Sequence, residues 1–114
     1  MTGTDISLRL NLPGGARFGP GKAALLQAIG DTGSISAAAR TLSISYPKAL
    51  RLVSEVNASL SEPAIATRHG GADKGGAVLT ESGRKLLTFY LSIHERSLAA
   101  FREQLDDLTA LLAM

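Results

Sequence analysis

A chain of 114 residues, 45% hydrophobic but only 4% aromatic, holds one small domain with a core of Leu, Ile, Val and Ala. The absence of cysteine excludes a disulfide framework, a thiolate metal site and a cysteine nucleophile. The net charge of +2 is uneven: residues 1–80 carry eight Lys and Arg against five acids and residues 81–114 four against five, so the basic excess lies in the first part.

Nothing resembles a signal peptide, and charges interrupt each apolar stretch well short of a membrane span, so the chain reads as soluble and cytoplasmic. A core this small gains from burying further surface against a second subunit.

Residues 5–12, DISLRLNL, alternate strictly, with Ile6, Leu8, Leu10 and Leu12 on one face and Ser7, Arg9 and Asn11 on the other. Period two over that length predicts a half-buried antiparallel strand, ended by Pro13-Gly14-Gly15. A first helix follows from Pro20 or Lys22 to Asp31, with Ala24, Leu25, Ala28 and Ile29 as its apolar stripe and Gly33 as its stop.

Residues 34–57 hold the most informative pattern. Ser34 is placed to cap a second helix over Ile35 to Leu42, in which Ala37, Ala38 and Ala39 permit a close approach to a neighbour. Leu42 and Ile44 bracket a tight polar turn, and a third helix opens at Ser45 or Tyr46. Serine is the better cap, whereas Pro47 disfavours a helical residue before it, so two rules differ there by one position. Ala49, Leu52, Val53, Val56 and Leu60 then form the buried side, leaving Tyr46, Pro47, Leu50, Arg51 and Ser54 outward, with Lys48 at the edge.

Two helices crossing closely at such a turn make a helix-turn-helix, whose second helix enters the DNA major groove. An ordinary helical hairpin is the plainer alternative. In the DNA reading, Arg51 forks onto a guanine edge or grips phosphate, and Lys48 serves as a point charge on phosphate. Ser45 and Tyr46 lie by the free amides of the helix N-terminus, and Ser34 and Ser36 near the start of the second helix reach the backbone.

Glu62-Pro63 ends the third helix. Residues 64–68 and 77–79 read as two short strands joined by the glycine-rich stretch 69–76, a wing whose Arg68 and Lys74 reach phosphate or the minor groove. The strand at 5–12 is expected to pair with it, since an isolated hairpin is marginal. The glycines do not follow the GxxxxGK[ST] order of a phosphate cradle.

A long helix over Glu81 to Leu112 follows Thr80. Its residues Leu87, Leu91, His94, Leu98, Phe101, Leu105, Leu108 and Leu112 step alternately by four and three, a coiled-coil-like seam read as a dimer interface. A second row, Leu86, Tyr90 and Ile93, is expected to pack back onto the winged part. His69 in the wing loop and His94 in the seam have no nucleophile or paired carboxylates at a useful spacing, so neither catalysis nor a metal is expected.

The order of these parts, and the segments TGSISAAARTLSISYPKAL and GGADKGGAVLTESGRKLL, resemble the N-terminal DNA-binding domain of ModE-type molybdate-responsive transcription regulators. The likeness extends over residues 5–112. The broader LysR-type winged helix-turn-helix shares the AAARxL…S…P pattern, towards which Pro47 leans, while the GGxxxGGAxLT text of the wing favours ModE. The family's wing is richer in glycine where this one has Ala72 and Asp73.

The resemblance implies a homodimeric regulator binding a palindromic operator near metal-transport genes. In the full-length family molybdate is held by separate β-barrel domains after the linker helix; this chain ends at Met114 without them, so no ligand residue carries over and no cofactor is expected. Sensing is then lost, or supplied by a separate molybdate-sensing partner, or the DNA-binding unit acts alone.

The expected architecture is mainly α with a small antiparallel sheet. A winged helix-turn-helix occupies residues 1–80, and a linker and dimerisation helix occupies residues 81–114. Two rivals stand beside the regulator: a winged-helix protein-interaction module that no longer touches DNA, and a direct oxyanion sensor with molybdate bound between subunits.

Overall fold

The computed structural model describes residues 3–68 and 76–113. In chain order its elements are β1 (Leu10–Asn11), a 3-10 turn at Pro13–Gly15, β2 (Arg17–Phe18), α1 (Pro20–Thr32), α2 (Ile35–Leu42) and α3 (Tyr46–Ala58). The hairpin β3 (Ile65–Arg68) and β4 (Gly76–Leu79) follows, then α4 (Glu81–Ala100) and α5 (Arg102–Leu111).

Helix α1 is the hub. Leu25, Leu26 and Ile29 are wholly buried, and Ala23 and Ala28 lie at 5% exposure, so the helix hides a wider stripe than expected. Ala24, placed in that stripe from the sequence, is only half-buried, while Ala23 and Leu26 take its share. Each buried leucine or isoleucine contributes about 2 kcal/mol. Gly33 ends the helix in the left-handed conformation (φ 75°), where its amide bonds the Ile29 carbonyl and a β-carbon would be strained. Its own carbonyl accepts from Ala77 N (2.9 Å), which ties the end of α1 to the wing.

The wing is an antiparallel hairpin in the register Ile65↔Leu79, Ala66↔Val78, Thr67↔Ala77 and Arg68↔Gly76. The N-terminal segment does not join it. Leu10 and Asn11 pair instead with Phe18 and Arg17, making a second two-stranded sheet. The alternation itself is present: residues 5–12 alternate between exposed and half-buried. The apolar side of that alternation is covered by helix, with Leu8, Leu10 and Leu12 packed on the main core.

Polar ties add to this packing in holding the N-terminal segment in place. The Tyr90 hydroxyl donates to the Leu8 carbonyl (2.8 Å), His94 Nε2 donates to the Ile6 carbonyl, and Thr4 bonds Thr109 on α5 through both its amide (3.1 Å) and its hydroxyl (2.7 Å). Thr109 gives its own proton to the Leu105 carbonyl (2.9 Å), so the Thr4 hydroxyl is the donor in that pair. Tyr90 also meets Phe18 edge to face, with ring centroids 5.4 Å apart.

Three of the sequence expectations for the C-terminal helix change here. The helix is not continuous to Leu112: Phe101 leaves helical geometry (φ −113°, ψ 19°) and separates α4 from α5. No proline or glycine lies near Phe101 to announce the break, which accompanies the tie between Thr109 and Thr4. Leu87 is a core residue at 8% exposure rather than a seam residue, and the His94 imidazole is engaged by Ile6 of its own chain. Ile93, expected to pack inward beside Leu86 and Tyr90, stands 42% exposed, next to Phe89 at 64%.

Helix α3 ends at Ala58, four residues before Glu62-Pro63, where Ser59 donates its hydroxyl to the Val56 carbonyl (2.7 Å). Asn57 then pins the descending chain: Oδ1 accepts from Ala64 N (2.8 Å) and Ile65 N (3.0 Å), and Nδ2 donates to the Ile65 carbonyl (3.2 Å). Thr80 completes the junction by capping α4 through Gly83 N (3.1 Å) and donating to the Pro63 carbonyl (2.6 Å). Gly83 is required by space, since a β-carbon there would sit 2.2 Å from the Ala64 carbonyl oxygen.

Candidate nucleic-acid interface

The helix-turn-helix is assembled from two serine caps and one left-handed residue. Ser34 opens α2 by accepting from Ala37 N (3.0 Å), and Ser45 opens α3 by accepting from Lys48 N (3.2 Å). The structure thus resolves the disputed start in favour of Ser45 as cap, with Pro47 in the first turn, where its missing N–H costs nothing. Between them Ser43 closes α2 at φ 59°, ψ 40°, and the Ile44 amide bonds back to the Ala39 carbonyl (3.0 Å).

Small side chains set the closeness of the crossing. Ala38 and Ala49 are fully buried and Ala39 is at 3%, whereas Ala37 stays half-buried. Ala49, Val53 and Val56 carry the hidden face of α3, with Leu52 and Leu60 partly buried beside them. The opposite face is open. Tyr46 is 49% and Leu50 40% exposed, and Pro47, Lys48, Arg51 and Ser54 are exposed with them.

Three of the predicted serines are already engaged within the protein. The Ser34 and Ser45 hydroxyls serve as caps, and Ser36 accepts from Arg40 Nη1 (3.2 Å) on the exposed side of α2. Each retains a hydroxyl proton for a phosphate oxygen. Arg68 ends β3 opposite Gly76 and is exposed, whereas Lys74 and His69 lie outside the described residues.

Arg51 is not a bare cation. Its Nη1 meets Glu55 Oε2 at 3.0 Å, one helical turn on, and Glu55 Oε1 meets Lys22 Nζ of α1 at 3.2 Å. Lys22 in turn donates to the Arg17 carbonyl (2.9 Å). The Lys22 ammonium first, and the Arg51 guanidinium second, hold the Glu55 carboxyl below its ordinary range. Sequence reasoning counted Lys22, Arg40 and Glu55 only as charges. The spacing of four from Ser36 to Arg40 and from Arg51 to Glu55 signals a helical pair, but nothing in the sequence links Lys22 to Glu55.

No group of three or more His, Asp or Glu side chains is placed to hold a metal among the described residues. No helix among them is long and apolar enough to cross a membrane.

Residues 22–84, more than half of the chain, match the model of the bacterial regulatory helix-turn-helix proteins of the lysR family. The chain belongs to that family. The matched span runs from Lys22 in α1 through the helix-turn-helix and the wing to the start of α4.

Among curated proteins, the chain is 44% identical over 95 residues to the molybdenum-pterin-binding protein MopB of Rhodobacter capsulatus, covering 81% of this chain and 35% of that relative. It is 37% identical over 104 residues to the DNA-binding transcriptional dual regulator ModE of Escherichia coli K12, covering 90% and 39%. With the molybdenum transport protein ModE of Azotobacter vinelandii it shares 30% over 114 residues, covering 96% and 42%. The chain therefore spans roughly two fifths of the length of these relatives, which bear out the ModE-type resemblance.

Proposed function

We propose that this chain is the DNA-reading part of a ModE-like, molybdate-responsive transcription regulator that works as a homodimer in the cytoplasm and has no catalytic role. The observation that carries the reading is the division of α3: Ala49, Val53 and Val56 are at 0–6% exposure, while Tyr46, Pro47, Lys48 and Arg51 stand open on the far side. A helix anchored in this way presents polar side chains to a major groove without unfolding anything.

The pairing of two copies is proposed through α4 and α5, where Leu91, Phe101, Leu108 and Leu112 are 44–49% exposed and Leu98 and Leu105 half-buried. The two α3 helices would then read half-sites about one DNA turn, or a multiple, apart. Molybdate response is proposed from the names of the relatives and is assigned to none of the described residues; a separate molybdate-sensing partner fits the same reading.

The test is selection of bound duplexes from a random-sequence pool, followed by gel retardation on the selected site. Retardation that weakens steeply with salt is expected, because phosphate neutralisation releases counterions. Arg51→Ala should weaken specific binding by about 1–3 kcal/mol and relax one base position. Equal losses on every sequence would make Arg51 a phosphate contact, and no retardation at low salt would overturn the regulator reading.

A further inference from the structure

We infer that Glu55 and Lys22 are positioning residues for DNA recognition: they form a relay from α1 that aims Arg51 and keeps it from gripping phosphate indiscriminately. The inference rests on the DNA reading above and goes beyond it by assigning base discrimination to two residues that make no proposed contact with DNA themselves.

Three observations carry it. An acid one turn along a DNA-facing helix opposes the approach of phosphate, yet Glu55 faces two cations at once, Arg51 Nη1 at 3.0 Å and Lys22 Nζ at 3.2 Å. Arg51 and Glu55 are 59% and 43% exposed, and an exposed pair of this spacing alone would hold a long side chain only weakly. Lys22 is different: its side chain is 18% exposed and fixed by the Arg17 carbonyl at 2.9 Å.

The anchor is therefore the Lys22 ammonium, held by a backbone carbonyl at the end of a mostly covered side chain, and direction passes outward through the carboxylate to the guanidinium. With one nitrogen occupied, Arg51 keeps its remaining donors for a single outward direction, as a bidentate base contact demands. A free arginine would settle on whichever phosphate lay nearest.

The experiment measures retardation of two duplexes of equal composition, the site selected by the wild-type protein and its scrambled version. The variants are Glu55→Gln, Lys22→Gln, Arg51→Ala and the double variants with Arg51→Ala, with melting temperature and circular dichroism verifying that each is folded. Glu55→Gln should tighten binding to the scrambled duplex several-fold and cut the ratio of selected to scrambled affinity about tenfold. Lys22→Gln should cut the same ratio although it removes a positive charge. Both effects should vanish once Arg51 is alanine.

Equal losses on both duplexes from Lys22→Gln would make Lys22 a plain phosphate contact and overturn the relay. So would a ratio unchanged in both single variants, or effects that persist in full without Arg51. A wild-type protein that selects and retards no DNA would instead sink the regulator reading and the relay together.

Discussion

Ser43 turns the corner between α2 and α3 with a φ of 59°, and it is the one described non-glycine residue at positive φ. Its β-carbon opposes that conformation by about 1–2 kcal/mol, part of which glycine would return through its greater freedom in the unfolded chain. Ser43→Gly should therefore raise stability by about 0.5–1 kcal/mol in urea denaturation, without altering the faces of α3. The serine caps on either side belong to the same scale and were legible, because Ser34 and Ser45 stand just before helical patterns. Asn57 was not legible. Its three bonds to Ala64 and Ile65 close a gap of seven and eight residues, and no periodic pattern marks a side chain that pairs with backbone in a loop.

At the scale of elements, the junction of α3, β3 and α4 has no room to spare at Gly83. Gly83 lets α4 start against β3, and any side chain there must push Ala64 outward and break the bond from Thr80 N to the Ala64 carbonyl (2.9 Å). Gly83→Ala should cost about 2–3 kcal/mol by thermal or urea unfolding, and should loosen the wing before the rest. A melting curve matching the wild type would show that the junction yields.

Element existence was readable: α1, α2 and α3 appear where the period of 3.6 predicted them, and the two wing strands where short apolar segments flank the glycine-rich residues. Pairing was not readable. The strand at residues 5–12 has a correct alternation, but its hydrogen-bond partner and its cover are set by Phe18 and Tyr90, whose burial no local period encodes. The break at Phe101 was equally invisible, since the four-and-three stepping of apolar residues runs straight through it. Of the interface, the open face of α3 was legible from helical spacing; the role of Glu55 as partner to Lys22 was not, because the two lie 33 positions apart.

At the scale of the whole molecule, apolar surface is left over. Phe101 at 49%, Leu108 at 44% and Leu91 at 46% exposure sit on helices whose inner face is already spent on Gly83, Leu87 and Tyr90. If two copies meet there, Leu91→Asp with Leu108→Asp should halve the mass seen by sedimentation while leaving the helical dichroism intact, because neither side chain supports its own protomer's core. An unchanged mass would move the contact elsewhere, with Phe89 and Ile93 as the remaining exposed apolar pair on α4.

The polar ties from Leu8 to Tyr90 and from Ile6 to His94, together with the fit of Gly83 against Ala64, fasten α4 to the winged head at three places. If the proposed dimer forms through its C-terminal rods, heads fastened in this way resist swivelling to follow a misphased operator. Inserting one base pair into the spacer turns a half-site by roughly 34–36° and shifts it by roughly 3.4 Å. Such an insertion should reduce binding to that of a single half-site, and a full extra turn of duplex should not restore it unless the rods themselves can be re-spaced.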